Sequence, residues 1–346
     1  MKNRDYYHNK VILVTGGVGS IGSQLVRQLL TYDPKSLIIL DNNETGLFDL
    51  HKELQSEKVK VLIGDIRDLE RMKVVLTGVD IVFHAAALKH VPLCEFNPYE
   101  AVKTNILGTQ NILDAAIRNQ VEKVIMISTD KAVDPINTMG ASKYLAERLT
   151  ISANNHLRNK KTAFAVVRFG NVLNSRGSIL PIFMREIENN QPLTVTDEEM
   201  TRFVLTIPQA VYLVLKAGAI SKGMEIFILK MPVVKIIDLA KVMLRKIAPK
   251  YNYSVPEDKS IEIVGQRVGE KLYEELMTEQ EAPFAYENDE MFIVYPPDSY
   301  VLAGNHIIPT VPDGFTKVTT GGFSSATARC VDDKELEEFI DAVGFK

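Results

Sequence analysis

Val11-Ile12-Leu13-Val14-Thr15-Gly16-Gly17-Val18-Gly19-Ser20-Ile21-Gly22 is the stretch on which the fold turns. A short apolar, β-branched run enters a glycine-rich turn. A segment of helical period follows, with Ile21, Leu25 and Leu29 recurring every four residues beside Val26 and Leu30. A run without polar alternation suits a strand buried on both faces, and one apolar stripe suits a helix lying on a sheet. Together they predict the opening of a βαβ unit.

The same alternation continues outward. Strands are expected at Leu37–Leu40, Val59–Ile63, Ile81–His84, Val124–Ser128 and Phe164–Arg168, with helices near Leu69–Leu76, Tyr99–Arg118 and Ser142–Ala153. This is the pattern of an α/β doubly wound parallel sheet of Rossmann type. After about Asn171 the rhythm breaks, punctuated by Pro181, Pro192, Pro208 and Pro232. Residues 1–170 are therefore expected to form mainly the Rossmann domain. Residues 171–346 should form mainly a smaller C-terminal lobe, with some segments returning to the first. Beyond Tyr251 the expectations are helices at Glu270–Met277 and Lys334–Ala342, and a surface loop over Thr316–Thr327.

The chain has 346 residues, 46% hydrophobic and 24% charged, enough to bury a large core without staples. Its two cysteines, Cys94 and Cys330, are too few for a disulfide framework and lack zinc-ligand spacing, so no metal site is expected. A net charge of -4 gives no electrostatic reason to expect nucleic acid. No apolar run approaches the roughly 20 residues of a membrane span, and Met1–Lys10 is unlike a signal peptide, so the expected location is cytoplasmic.

A glycine-rich turn between strand and helix is what a dinucleotide pyrophosphate requires: close backbone approach, then the N–H groups of a helix N-terminus. Gly16, Gly19, Ser20, Ile21 and Gly22 are the candidates. Two glycine spacings overlap, Gly17/Gly19/Gly22 and Gly16/Gly19/Gly22, so the pattern alone does not choose the dinucleotide family. Asp41 and Asn42 end the second strand, where a carboxylate holds the adenosine ribose and repels a 2′-phosphate. NAD is favoured over NADP. The competing reading of Asp41 is a helix cap or turn residue. Asp65 and Ile66 follow the third strand, where the adenine is expected, and Asp65 too can be read as a cap. Ala85 and Ala86 end the fourth strand with side chains small enough for close approach. Lys89, just beyond, is either a phosphate contact or an ordinary solvated lysine.

The fifth strand runs into Ser128-Thr129-Asp130-Lys131, with Met139 and Lys143 a few residues on. A hydroxyl, a carboxylate and two amines are thereby brought to the sheet edge where a nicotinamide is expected. The competing reading is a loop salt bridge with a helix cap.

The blocks T-G-G-V-G-S-I-G, H-A-A-A-L-K-H-V-P, S-T-D-K-A-V-D-P-I-N, M-G-A-S-K, R-F-G-N-V-L-N-S-R-G-S, M-T-R-F and R-V-G-E-K together resemble the polysaccharide-biosynthesis branch of the extended short-chain dehydrogenases. Its members are UDP-N-acetylglucosamine 4,6-dehydratases, some also C5-epimerases. The matching blocks span Val11 to about Leu276. Larger relatives carry an N-terminal membrane region, and this chain resembles the short soluble form. The superfamily usually shows Tyr-x-x-x-Lys, whereas Met139-Gly140-Ala141-Ser142-Lys143 stands here, a variant similar to one subgroup of the dehydratases. A thioether takes no proton, so the usual tyrosine base is lacking.

The resemblance implies a UDP-linked N-acetylhexosamine substrate, oxidation at C4, loss of water across C5 and C6, and reduction at C6. It implies Lys131 as the C5 base, Asp130 as the acid at C6, Thr129 on the C4 hydroxyl and Lys143 on the nicotinamide ribose. Asp130 is also expected to receive the C4 proton, with Met139 only packing on the sugar. A neutral Lys131 must give up about 4 kcal/mol of ammonium preference, through burial and the nearby Lys143. Asn171, Arg202, Arg267 and Glu270 fall where relatives hold the diphosphate and uridine, and a homo-oligomer is expected. The alternatives are a dehydratase that also inverts C5, a UDP-sugar 4-epimerase, and a non-catalytic dinucleotide sensor.

Overall fold

The computed structural model describes residues 2–159, 161–175, 177–297 and 310–344. Six strands and their helices make the first half: α1 (Lys2–Tyr7), β1 (Val11–Thr15), α2 (Ser20–Leu30), β2 (Ser36–Asp41), α3 (Glu44–Leu54), β3 (Val59–Ile63), α4 (Leu69–Val75), β4 (Ile81–His84), α5 (Val91–Phe96), α6 (Pro98–Ala101), α7 (Thr109–Asn119), β5 (Lys123–Ile127), α8 (Thr138–Ser152) and β6 (Ala163–Arg168). The strands line up parallel in the order β3-β2-β1-β4-β5-β6, so the expected Rossmann sheet forms. The order reverses between β1 and β4, opening a crevice at the strands' carboxyl ends.

Both faces are covered. Leu25, Val26 and Leu29 of α2 join Ile12, Val14 and Tyr7 on one side. Met72, Ile112, Leu113 and Ala116 from α4 and α7 join Leu13, Val82 and Val124 on the other. Helix starts follow local chemistry: Asn43 caps α3 by accepting from the Gly46 N–H, and Asp68 caps α4 through that of Arg71. Asp41 and Asp65 are therefore not helix caps.

The second half comprises β7 (Asn171–Leu173), α9 (Ile179–Glu188), β8 (Leu193–Val195), β9 (Thr201–Thr206), α10 (Ile207–Ile220), β10 (Ile226–Leu229), β11 (Val233–Lys235), α11 (Ile236–Lys246), β12 (Ile261–Ile263), β13 (Glu275–Met277), β14 (Ala285–Glu287), β15 (Met291–Val294), β16 (Thr316–Lys317), β17 (Phe323–Ser324) and α12 (Asp333–Val343). β10 extends the parallel sheet beside β6, and β15, β14 and β16 follow it antiparallel. The remaining strands form small sheets, β11-β9-β7, β12-β8 and β13-β17. β7, β8, β9, β11 and β12 pack with α9, α11 and α12 around Phe183, Leu239, Met243 and Ile340, whereas Leu276, Met277 and Phe323 of β13-β17 join the main core.

Three expectations are corrected. Glu270–Met277 is not a helix: Thr201 N–H bonds Leu272 O, Glu274 N–H bonds Ser325 Oγ, and β13 pairs with β17, so tertiary partners override a helical period. Thr316–Thr327 is not only loop, because β16 and β17 join existing sheet edges. The helix over Tyr99–Arg118 is interrupted by a π-helical stretch, Val102–Gly108. Lys334–Ala342 does lie within a helix, α12, opened by an Asp332–Glu335 capping box.

Candidate active site

One cleft of about 770 Å³ runs from the glycine turn, across the ends of β4 and β5, to β7, β9 and the loop before β13. At its first end the glycines have steric reasons. Gly16 has φ +64°, and a Cβ there would sit 2.7 Å from Ala86 Cα. A Cβ on Gly22 would sit 2.1 Å from Gly16 O. Gly19 is the N-cap of α2 and offers no side-chain cap. A turn this bare, ending in a helix N-terminus, fits an anionic pyrophosphate. Gly16, Gly19, Ser20, Ile21, Gly22, Ala85 and Lys89 all line the cleft.

Ala86 presses its backbone on Gly16 instead of lining the cleft. Asp41 accepts from the Val18 N–H of the glycine turn and from Asn43 N–H, at the end of β2. Asp65 is clamped by Arg67, which with Asn42 holds its carboxyl below the usual range. Ile66 is buried against Gly108, and its carbonyl accepts from Asn111. Asp41, Asn42, Asp65 and Ile66 stand outside the cleft lining, at the neighbouring strand ends.

Beyond β5 a single 3-10 turn, Asp130–Ala132, brings a carboxyl and an amine to the cleft. Thr129 Oγ1 donates to Asp130 Oδ1 at 2.7 Å, and Lys131 Nζ donates to the same oxygen at 3.2 Å. The Nζ also reaches Asn171 Oδ1 at 3.3 Å and Glu274 Oε1 at 2.8 Å. Gly170 makes room, since a Cβ there would meet Phe203. Burial by itself would raise the Asp130 carboxyl, but the Lys131 ammonium together with side-chain hydrogen bonds to Glu274, Thr129 and Lys131 outweighs it and holds the group at about 2. Burial favours a neutral Lys131, yet Asp130 and Glu274 outweigh burial and raise it. The expectation of a neutral Lys131 is thus corrected for the free protein, because two carboxyl groups face its amine.

Met139 and Lys143 sit one turn apart on α8, which begins at Thr138, capped by Asn137, earlier than expected. Met139 packs with Cys94, Ala101 and Val91 at the cleft wall. Lys143 Nζ donates to Ile127 O at 2.7 Å, and burial brings it down to about 8. Arg202 is buried and already engaged, to the carbonyls of Thr201, Leu272 and Lys271 and to Glu270 and Glu274. Arg267 stands exposed at the rim, its N–H bonded to Glu270. Arg176, in the block that holds Asn171, lies outside the described residues.

Three groups escaped the sequence reading. Glu274 lay inside Glu270–Met277, expected to be a helix. His84 is neutral, driven to about 3 by burial and by Lys143, and lies between Thr15 Oγ1 at 2.8 Å and Thr109 Oγ1 at 3.0 Å. Asn105, on the π-helical stretch, holds both the N–H and the carbonyl of Leu88 and also reaches Ser142. The only local signal was polarity at positions of a helix face that should be apolar.

A family model described as a polysaccharide biosynthesis protein matches residues 12–296. The chain is 58% identical over 301 residues to a Methanocaldococcus jannaschii protein described as an uncharacterized membrane protein, covering 87% of this chain and 89% of that one. Among the described residues no helix is long and apolar enough to cross a membrane. It is 38% identical to the inverting UDP-N-acetylglucosamine 4,6-dehydratase of Campylobacter jejuni, covering 97% of this chain and 98% of the relative. The solved structure of Pen from Bacillus thuringiensis superposes with a TM-score of 0.89 at 39% identity, covering 99% of this chain and all of that one. On this match the chain belongs to the polysaccharide-biosynthesis family of extended short-chain dehydrogenases, a group of NAD-dependent sugar-nucleotide dehydratases and epimerases.

Proposed function

We propose that the protein is a UDP-N-acetylglucosamine 4,6-dehydratase, working as a homo-oligomer. The observation that carries this reading is the joining of Thr129, Asp130 and Lys131 with Lys143 in one cleft whose far wall holds Asn171, Arg202, Arg267 and Glu270. Likeness to the Campylobacter enzyme over nearly the whole chain supports the substrate.

Asp41, Asn42, Asp65, Ile66, Ala85, Ala86 and Lys89 would hold NAD with the glycine turn about its adenosine and phosphates, and NAD, when bound, would supply a hydride acceptor and donor. The protein's own residues move the protons. Thr129 orients the C4 hydroxyl, whose proton passes to Asp130. Lys131 removes the proton from C5, acidified by the new C4 carbonyl, and Asp130 returns its own proton to the departing C6 hydroxyl. Lys143 fixes the nicotinamide ribose. Lys131, whose amine protons exchange with solvent, returns a proton to C5, so each turnover releases one water and consumes no net proton.

A second reading, with inversion at C5, draws support from the inverting name of the Campylobacter relative. Incubation with UDP-N-acetylglucosamine in deuterated water and proton NMR of the product separates the possibilities. A 6-deoxy-4-keto sugar with deuterium at C5 is expected. The H-1/H-2 and H-2/H-3 couplings, which follow the ring conformation, report the C5 configuration. A product differing only at C4 would replace the reading by an epimerase, and unchanged substrate would remove it.

A further inference from the structure

We propose that Glu274 is the positioning residue that discharges Lys131, taking the ammonium proton across their hydrogen bond so that a neutral amine faces C5. This deepens the dehydratase reading and rests on it. A C5 base must be neutral, and in the free protein Lys131 is an ammonium between two carboxyl groups. Lys131 Nζ lies 2.8 Å from Glu274 Oε1, so transfer needs no rearrangement. The Nζ–H bond breaks, an O–H bond forms on Glu274, and no charge leaves the cluster.

The surroundings of Glu274 favour an acid that can hold a proton. It is 3% exposed, and its Oε2 is buried with no donor facing it. An ionised oxygen so placed forfeits its solvation. The groups facing it are Asp130 and Lys131 from the turn after β5, Arg202 from β9 at 3.3 Å and, through Arg202, Glu270 from its own loop. Two buried carboxyl groups in contact do not both ionise readily. Burial and the Asp130 charge accordingly raise Glu274 to about 7 while Asp130 stays ionised. With Glu274 ionised and Lys131 an ammonium, the cluster of Asp130, Glu270, Glu274, Lys131 and Arg202 carries one excess negative charge, and transfer to a neutral Lys131 and a protonated Glu274 leaves that total unchanged. The proton taken from C5 then lands on a neutral Lys131, and that taken from the C4 hydroxyl on Asp130. Glu274 keeps the original proton until C5 is reprotonated.

Single-turnover kinetics with UDP-N-acetylglucosamine and NAD, from about pH 6 to pH 9, test this. Oxidation at C4 is read by reduced-nicotinamide absorbance and C5 deprotonation by deuterium exchange. In the wild type the C5 step should be level with pH between the two apparent pKa values of the coupled pair. In Glu274→Gln, oxidation should stay within about threefold. Its C5 step should fall at least about tenfold at pH 7 and gain a limb rising tenfold per pH unit, because Lys131 must now discharge to solvent. Glu274→Asp should restore the level profile at a lower rate. A Glu274→Gln profile matching the wild type, or an equal fall in both steps without the limb, overturns the proposal. If Glu274→Gln does not fold, a wild-type C5 step that still rises tenfold per pH unit well above pH 7, where Glu274 is free to take the proton, does so alone. Absence of any C4 oxidation by the wild type would instead count against the dehydratase reading.

Discussion

Asp130 is the residue on which the proton chemistry turns, and its neighbours explain why it stays ionised although it is 2% exposed: Thr129, the Lys131 N–H and the Lys131 ammonium all donate to it. Asp130→Asn keeps the shape and removes the acceptor. Single-turnover absorbance should show C4 oxidation slowed by about 10³-fold, within the range of a lost general base; normal oxidation would place the acceptor elsewhere. Lys143 offers a pH-linked test. Burial depresses it to about 8 from its ordinary value, so between that point and the unfolded lysine the unfolded chain binds more protons and stability must rise with pH. From pH 8 to pH 9.5, urea unfolding of the wild type relative to Lys143→Met should gain about 2 kcal/mol. A constant difference would mean that Lys143 stays charged when buried, as it is in the unfolded chain. Thr129, Asp130, Lys131 and Lys143 could be picked out beforehand because they crowd into one short stretch after a strand. Glu274 could not, since Asp130 and Lys131 lie more than a hundred residues away along the chain and its own stretch was expected to be a helix.

Among the elements, α8 and the turn after β5 act as one piece. A Cβ on Gly140 would sit 2.2 Å from Lys131 O, so only glycine lets the first turn of α8 close on the backbone that carries the amine. Gly140→Ala should improve helix propensity yet push that turn away. Circular dichroism should show an intact fold while kcat drops at least tenfold, as misplacement by about 1 Å would produce. An unchanged kcat would show that the turn tolerates displacement. The loop before β13 is clipped down beside it: Asn137 Nδ2 donates to Gly269 O, and Lys271 Nζ to Val133 O. Strand positions and the α2 stripe were readable because burial imposes periodicity. The π-helical stretch was not, because its cause is the clamp that Asn105 places on Leu88, a contact without periodic trace.

For the molecule as a whole, Arg168 joins the two halves. From the end of β6 it binds Glu147 of α8 and reaches Leu276 O and Glu281 after β13, with Arg168 1% and Glu147 0% exposed in their side chains. Glu147→Gln should cost about 3 kcal/mol by leaving a buried guanidinium undercompensated. Its urea midpoint should fall with an unchanged slope, whereas an unaltered midpoint would mean that Glu281 suffices. By itself the sequence determined the order of strands and helices, the glycine turn and the Thr129-Asp130-Lys131 run, because each depends on residues adjacent in the chain and on the burial period they create. Only the tertiary structure decided that Lys131 begins as an ammonium and that Glu274 faces it. Charge state depends on which distant carboxyl groups are brought within hydrogen-bond reach and shielded from water, and chain order does not encode that distance.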